Sequence, residues 1–148
     1  TLVPDATDQL TSDHGWDTIK HAAFLREVVA ALHVKKIRVS LFVDPEPRMI
    51  EGAKATGADR VELYTGPYAH EFVGNPEKAM QPYTEAARVA QNIGIGLNAG
   101  HDLNLVNLKY FQEHCPGLLE VSIGHALICD SLYYGMANTI RMYLRQLG

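Results

Sequence analysis

The chain has 148 residues, of which 47% are hydrophobic and 20% are charged, a composition typical of one folded domain and not of a disordered segment. The net charge of −4 excludes the basic surface that nucleic-acid binding needs, and no apolar run approaches the roughly 20 residues that cross a membrane. Cys115 and Cys129 form no zinc-binding or disulfide motif. We therefore expect a cytoplasmic protein with free thiols and with neither a nucleic-acid nor a membrane partner.

The β-strands are predicted from short apolar segments rich in β-branched residues. They span residues 37–43, 60–64, 95–98 and 118–123, and Leu2-Val3 resembles the end of a further strand. Helical spacing of apolar residues predicts helices over residues 17–34, 47–56, 82–93, 104–113 and 131–146. The chain begins at Thr1 and enters Leu2-Val3 without a turn signal, so we expect further residues to precede it.

Local signals refine the predicted helix ends. Asp44 is expected to cap the helix that follows the first complete strand. Gly66-Pro67 is expected to form a turn after the strand over 60–64. Pro82 is expected to break the helical pattern, so that Asn75-Pro76 begins only a short extra turn. A helical turn is expected after Gly124, before the last long helix.

Strands that alternate with helices predict an α/β fold with a parallel sheet. Two architectures fit four such units: a small open sheet, or the second half of a (β/α)8 barrel, whose usual length is ~250 residues. In either one, ligands bind at the carboxyl ends of the strands. The polar segment 5–16 is longer than the usual connection of about 2–6 residues between a strand and a helix, which indicates either a lid or a disordered segment.

Glu62 lies inside a predicted strand, on the face opposite to Val61 and Leu63. If Val61 and Leu63 pack against helices, Glu62 points to the face that holds the active site. A carboxylate is costly there unless it is paired or functional. It either pairs with a structural Arg or Lys or binds a polar substrate.

Two further pairs of residues follow the last two strands. His101 and Asp102 come after Asn98-Ala99-Gly100, whose small residues let a ligand approach the backbone. His101 can exchange a proton near neutral pH, or it can simply pack at the strand end. Gly124 and His125 would present backbone N–H groups at a helix N-terminus, which suits a phosphate, although a plain strand-to-helix turn has the same sequence.

The segments LVP, RVSLFVD, ADRVELYTG, LNAGHDLNLVN and EVSIGHALI together closely resemble the pyridoxine 5'-phosphate synthase family over essentially the whole chain. The resemblance implies that residues 1–148 are the C-terminal part of a single (β/α)8 TIM-barrel domain, from the end of strand 4 to strand 8 with their helices. It also implies a homo-oligomer, usually an octamer.

The reaction that this resemblance implies belongs to vitamin B6 biosynthesis. A transferase of this family condenses 1-deoxy-D-xylulose 5-phosphate with 3-amino-2-oxopropyl phosphate and releases pyridoxine 5'-phosphate, inorganic phosphate and water. The resemblance implies no metal and no organic cofactor.

The resemblance also assigns roles to the candidate residues. His101 matches the proton donor, and Glu62 matches a carboxylate that stabilises a transition state. Thr11 matches a threonine on a lid loop that contacts deoxyxylulose phosphate. Gly124 and His125 match the pair that holds the aminoketone phosphate. Asp102 stands where the family also contacts that phosphate and where other members can have Gly, so only its backbone N–H is carried over.

The family's general base, second catalytic histidine and further substrate ligands come from strands 1 to 3, which this chain does not contain. The 148-residue chain alone is therefore expected to be inactive, because such groups act together. Three alternatives stay open. They are a phosphosugar isomerase or epimerase that uses Glu62 and His101, a metal-dependent hydrolase built from Asp44, His101 and His125, and a non-catalytic half barrel that assembles with a partner chain.

Overall fold

The computed structural model describes all 148 residues, and its central feature is a four-stranded parallel sheet. The strands run in chain order across the sheet: β1 Ser40–Val43, β2 Arg60–Tyr64, β3 Gly96–Gly100 and β4 Leu118–Ser122. Leu2 forms an isolated parallel bridge to Leu41 at the outer edge of β1. All four predicted strands and the strand-like character of Leu2 are thus confirmed.

The helices follow the strands in the α/β alternation that the sequence predicts. They are α1 Ala22–Val34, α2 Pro47–Ala55, α3 Gly66–Phe72, α4 Pro76–Ile93, α5 Leu108–His114, α6 His125–Tyr134 and α7 Met136–Leu147. None of the seven combines the length and the hydropathy that a membrane-spanning segment needs.

The main core lies between one face of the sheet and the helices that cover it. The sheet contributes alternate residues of the strands, and α4 contributes its small inward face: Leu41, Val43, Val61, Leu63, Leu97, Ala99, Ala86, Ala87 and Ala90. Full burial of each large aliphatic side chain stabilises the fold by roughly 1.5–3 kcal/mol. Because side chains alternate along a strand, the same pattern turns Glu62 and Asn98 to the other face.

The prediction that Pro82 breaks the helix is wrong, because α4 runs without interruption from Pro76 to Ile93. Asn75 caps α4 by accepting a hydrogen bond from the Lys78 N–H at 3.0 Å. Pro82 has no backbone N–H to donate to the Lys78 carbonyl one turn earlier. Both residues are exposed, so water can take the place of the missing donor. The buried residues Met80 and Tyr83 on either side hold the two halves on one axis.

Two other helix predictions are also corrected. The expected turn at Gly66-Pro67 is the first turn of α3, which forms because Tyr68 is fully buried against the rings of Tyr83 and Phe111. The single helix expected over 131–146 is two helices, since Gly135 between them has φ of +79°, outside helical geometry.

Two predicted helix starts are displaced along the chain, and one predicted helix cap is wrong. Helix α1 begins at Ala22 instead of residue 17, and α5 begins at Leu108 instead of residue 104. Asp44 does not cap α2, because the N-cap position is occupied by Glu46. The Asp44 carboxylate instead accepts a hydrogen bond from the Gly15 N–H at 3.2 Å, which ties the segment 5–16 to the end of β1.

Candidate active site at the carboxyl end of the sheet

An open cavity of about 1020 Å³ lies at the carboxyl ends of the strands. It is bordered by the ends of all four strands and by the segment 5–16. All of the residues assigned by the family resemblance line it: Thr11, Glu62, His101, Asp102, Gly124 and His125. These residues are up to 114 positions apart in the sequence (11 to 125), and the parallel topology brings them to one place.

Glu62 projects from the middle of β2 into this cavity, and its side chain is almost fully buried at 6% exposure. Its Oε2 accepts a hydrogen bond from the Thr1 hydroxyl at 2.6 Å, and no Arg or Lys pairs with it. The structural Arg or Lys partner considered from the sequence is therefore not present in this chain. Gly100 on β3 makes room for the carboxylate, since a Cβ there would lie 2.3 Å from Oε1.

His101 has a defined partner at each ring nitrogen. Its Nδ1 lies 2.9 Å from the Asp102 Oδ2, and its Nε2 lies 2.9 Å from the Thr11 hydroxyl oxygen. The Tyr64 ring meets the imidazole edge-on, with ring centroids 5.2 Å apart. The ring is therefore fixed on three sides, and Nε2 is the nitrogen that faces the lid segment.

The backbone at His101 and Asp102 adopts an uncommon conformation, with φ of +87° and +57° respectively. Thr65 stabilises this conformation, because its hydroxyl lies within hydrogen-bond distance of the carbonyls of Gly100, at 2.8 Å, and of His101, and shares its one proton between them. The Asn107 side-chain amide donates to the Asp102 carbonyl at 3.3 Å. Backbone strain of this kind persists only where the surroundings impose it, and it is concentrated at functional sites.

Tyr64 also lines the cavity, and sequence reasoning missed it. Burial, helped by the negative charge of Asp102, raises the pKa of Tyr64, so its hydroxyl stays protonated at neutral pH and can donate a hydrogen bond. A signal was present, because Tyr64 lies two residues after Glu62 and so faces the same side of β2. The same rule applies to Phe42 and Ser122 at the ends of β1 and β4.

Gly124 and His125 lie where β4 passes into α6. Helix α6 begins at His125 with Gly124 as its N-cap, and no side chain caps the helix. Its first N–H groups therefore lack an intrahelical partner and carry the positive end of the helix dipole. The space beside Gly124 is open, since a Cβ there would meet nothing within 4 Å. This arrangement can accept an anionic group from the cavity.

The segment 5–16 is anchored at its end and crosses the cavity rim at its centre. The Trp16 backbone N–H donates to the Phe42 carbonyl at 2.8 Å, and the indole N–H donates to the Leu2 carbonyl at 3.1 Å. Five residues before this anchor, Thr11 reaches His101 while the adjacent Leu10 is fully exposed. The segment 5–16 therefore lies where a lid would lie, and that it opens and closes stays a prediction.

No group of three or more His, Cys, Asp or Glu side chains is arranged to hold a metal ion. Asp44, His101 and His125, which the hydrolase alternative requires as joint ligands, do not form such a group. The Asp44 carboxylate is instead hydrogen-bonded to the Gly15 N–H. The geometry therefore does not favour a metal-dependent hydrolase.

The chain is an α/β protein with a pocket at the carboxyl end of its parallel sheet. The pocket holds a carboxylate, a histidine and an uncapped helix N-terminus, groups of the kind that acid–base chemistry and anion binding use. The family described as "Pyridoxal phosphate biosynthesis protein PdxJ" matches residues 1–148. The chain belongs to this family.

Curated relatives of the family are similar over nearly the whole chain. A protein named pyridoxine 5'-phosphate synthase from Cytophaga hutchinsonii is 58% identical over 99% of this chain and 62% of its own length. Proteins of the same name from Christiangramia forsetii and Phocaeicola vulgatus are 54% and 57% identical, over 99% and 97% of this chain and 62% and 60% of their own lengths. The chain thus spans about three fifths of the relatives that it matches.

Proposed function

We propose that the full-length protein containing this chain is a pyridoxine 5'-phosphate synthase. It condenses 1-deoxy-D-xylulose 5-phosphate with 3-amino-2-oxopropyl phosphate to give pyridoxine 5'-phosphate, inorganic phosphate and water, and it acts in the cytoplasm. The observation that carries the proposal is the convergence of Thr11, Glu62, His101 and Gly124-His125 on one cavity. Family membership supports the same chemistry.

His101 acts as the proton donor in this proposal. Its Nε2 is the ring nitrogen on the lid side of the cavity, within 2.9 Å of the Thr11 hydroxyl. A substrate that displaced the Thr11 hydroxyl would contact Nε2 directly. Proton transfer from a positioned side chain contributes typically about 10²- to 10⁴-fold to a rate.

Glu62 stabilises positive charge in this proposal. Condensation of the amine with a ketone passes through a Schiff base, which carries positive charge when it is protonated. Glu62 is buried and has no cationic partner, so its carboxylate is available to a cationic intermediate in a site of low dielectric. The Thr1 hydroxyl is its only hydrogen-bond partner in this chain.

The helix N-terminus at Gly124 and His125 holds the phosphate of the aminoketone in this proposal. Asp102 lines the same cavity, and its backbone N–H supplies a further donor in this proposal. The Asp102 carboxylate is paired with His101. It is therefore held by a partner of its own and does not have to face the phosphate.

We further propose that β1 to β4 are strands 5 to 8 of a (β/α)8 barrel, with Leu2 at the end of strand 4. The parallel bridge between Leu2 and Leu41 supports this order. We also propose a homo-oligomer. Leu132 and Tyr133 on α6 support it, because both large apolar side chains are more than four-fifths exposed in this chain, at 81% and 86%.

The direct test is product formation by the full-length protein from the two phosphate substrates, followed by mass spectrometry. Product is expected only when both substrates are present, and Glu62→Gln is expected to reduce it strongly because the neutral amide cannot stabilise a cation. Conversion of deoxyxylulose phosphate without the amine would contradict the proposal and favour the isomerase or epimerase alternative.

The lid role of the segment 5–16 has its own test. We expect deoxyxylulose phosphate to slow proteolytic cleavage after residues of this segment, because the ligand would hold Thr11 over the cavity. The measurement is the cleavage rate with and without ligand in the full-length protein, with a Thr11→Val variant as the matched control. Equal rates with and without ligand would contradict a lid.

A further inference from the structure

We infer that Asp102 is a positioning residue that fixes the tautomer and the orientation of the His101 ring, an inference that rests on the proposed function. The inference concerns the side chain of Asp102, whereas the phosphate contact proposed above uses only its backbone N–H.

The hydrogen bonds around the ring determine which nitrogen carries the proton. An ionised carboxylate only accepts hydrogen bonds, so the Asp102 Oδ2 at 2.9 Å requires a proton on His101 Nδ1. The neutral ring then has its lone pair on Nε2, which accepts from the Thr11 hydroxyl at 2.9 Å. With Nδ1–H held by Asp102, protons can leave and return only at Nε2, the nitrogen on the lid side.

The backbone maintains this pair. Asp102 has φ of +57°, a left-handed conformation that Asp and Asn adopt more readily than most residues. Asn107 and Asn104 donate to the Asp102 carbonyl at 3.3 and 3.4 Å, and Thr65 donates to the His101 carbonyl. The main chain at Asp102 is therefore held in place, and only the two side-chain torsions remain to bring the carboxylate to the ring.

A second His–Asp pair in the same chain shows what is special about this one. His33 Nε2 lies 2.8 Å from the Asp59 Oδ2, on the outside of the fold before β2. Its carboxylate also accepts from the Val39 N–H at 2.7 Å, and neither residue lines the cavity. The His101 pair differs because the opposite ring nitrogen meets the lid residue Thr11 in the cavity.

The test is Asp102→Asn in the full-length protein. Asn keeps the shape and the left-handed backbone, but its amide can turn its NH2 toward Nδ1, so it no longer requires the proton there. Solid-state ¹⁵N spectra of histidine-labelled protein report the tautomer of each ring, and His101→Gln identifies the His101 signals. We expect a lower Nδ1–H fraction at His101, a fall in kcat of about 10- to 100-fold, and KM values within about twofold of the parent.

Asp59→Asn is the matched control, and it is expected to change the His33 signals while leaving the His101 signals and kcat in place. Asp102→Gly, which adopts the same backbone freely, serves if the Asn variant does not fold. An unchanged tautomer, or an unchanged kcat, in a folded Asp102 variant would overturn the positioning role. If the parent protein made no product, the proposed function would be wrong. The ¹⁵N spectra would still show whether Asp102 sets the tautomer of His101.

Discussion

The two ends of the four-stranded sheet carry similar polar side chains but use them differently. Toward the amino end, Arg60 donates to Glu120 and to Asn98, both at 2.8 Å, and Arg38 donates to the same carboxylate at 3.0 Å. Glu62 is in register with Asn98 at the middle of the sheet, but its buried carboxylate lines the cavity at the carboxyl end and has a hydroxyl partner but no cation. Within this chain, Glu120 is thus paired with two cationic side chains, whereas Glu62 beside the cavity is paired only with a hydroxyl group.

The difference shows that residue type alone does not identify a functional site. Each end holds a His–Asp pair, and each pair has a hydrogen bond of ordinary length. A third pair, Asp13–His14, lies in the segment 5–16. Only the His101–Asp102 pair lies on a left-handed backbone and lines the cavity with both residues. Three features together distinguish the site from the supporting hydrogen-bond network. They are its position at the strand ends, its strained backbone and a buried carboxylate that has no cationic partner in this chain.

The largest expected effect belongs to His101→Gln. Turnover of the full-length protein should fall by about 10²- to 10⁴-fold, because the variant lacks a group that can donate and regain a proton at the position of Nε2. Steady-state assays measure the loss, and circular dichroism checks the fold. His33→Gln is the matched control at the other His–Asp pair, and comparable losses in both variants would remove the contrast between the two ends.

A smaller effect is expected from Gly100→Ala. The added Cβ would lie 2.3 Å from the Glu62 Oε1, so the carboxylate must move. A displacement near 1 Å at a catalytic group can cost about a hundredfold in rate. Steady-state kcat is the measurement, and Gly74→Ala is the control, because its nearest contact is at 3.7 Å. Turnover at the parent level would show that Glu62 does not need its present position.

At the amino end, Asp59→Asn should reduce stability by about 1 kcal/mol at neutral pH and leave kcat in place. The Val39 N–H and His33 lower the pKa of the Asp59 carboxyl below its ordinary value of 3.8. This stabilisation is complete above the unfolded-state pKa and is lost as the pH falls through the folded-state pKa. Denaturant unfolding at several pH values is the measurement. If Asp59→Asn and the parent protein still differed in free energy of unfolding at pH values well below 3.8, the ionised Asp59 carboxylate would not be the source of the stabilisation.

The smallest effect is expected from Glu120→Gln. The Glu120 side chain is about half exposed, so its pairs with Arg38 and Arg60 contribute no more than about 1 kcal/mol and are screened by salt. The free energy of unfolding should differ only slightly between Glu120→Gln and the parent protein at low salt, and the difference should shrink as salt is added. A large loss of turnover in this variant would place Glu120 in the catalytic machinery and contradict the division between the two ends.

Much of the fold follows from local pattern. Short apolar segments rich in β-branched residues predicted the strands, and the period of two along a strand predicted the direction of Glu62, because alternate residues must face opposite sides. The same period would have indicated Tyr64, which was missed because its aromatic side chain suggests core packing. The placement of Gly124 at the start of a helix also followed from local sequence.

The remaining features depend on contacts that are distant in sequence. Helix α3 begins at Gly66-Pro67, where proline is compatible with a first helical turn, and it is held in place because the Tyr68 hydroxyl donates to the Asn107 carbonyl at 2.7 Å and the Tyr68 ring is buried. Helix α4 continues through Pro82 because that position happens to face water. The pairing of His101 with Thr11, 90 residues earlier, depends on how the segment 5–16 folds across the cavity.

The central claim is that phosphate substrates bind at the carboxyl end of the sheet, and a crystal structure of the full-length protein with 3-amino-2-oxopropyl phosphate tests it most directly. We predict phosphate oxygens at about 3 Å from the backbone nitrogens of Gly124 and His125, with the aminoketone extending toward Glu62 and His101. Binding instead in the outer groove between α4 and α5 that Arg88 lines, with the central cavity free of ligand, would contradict the account.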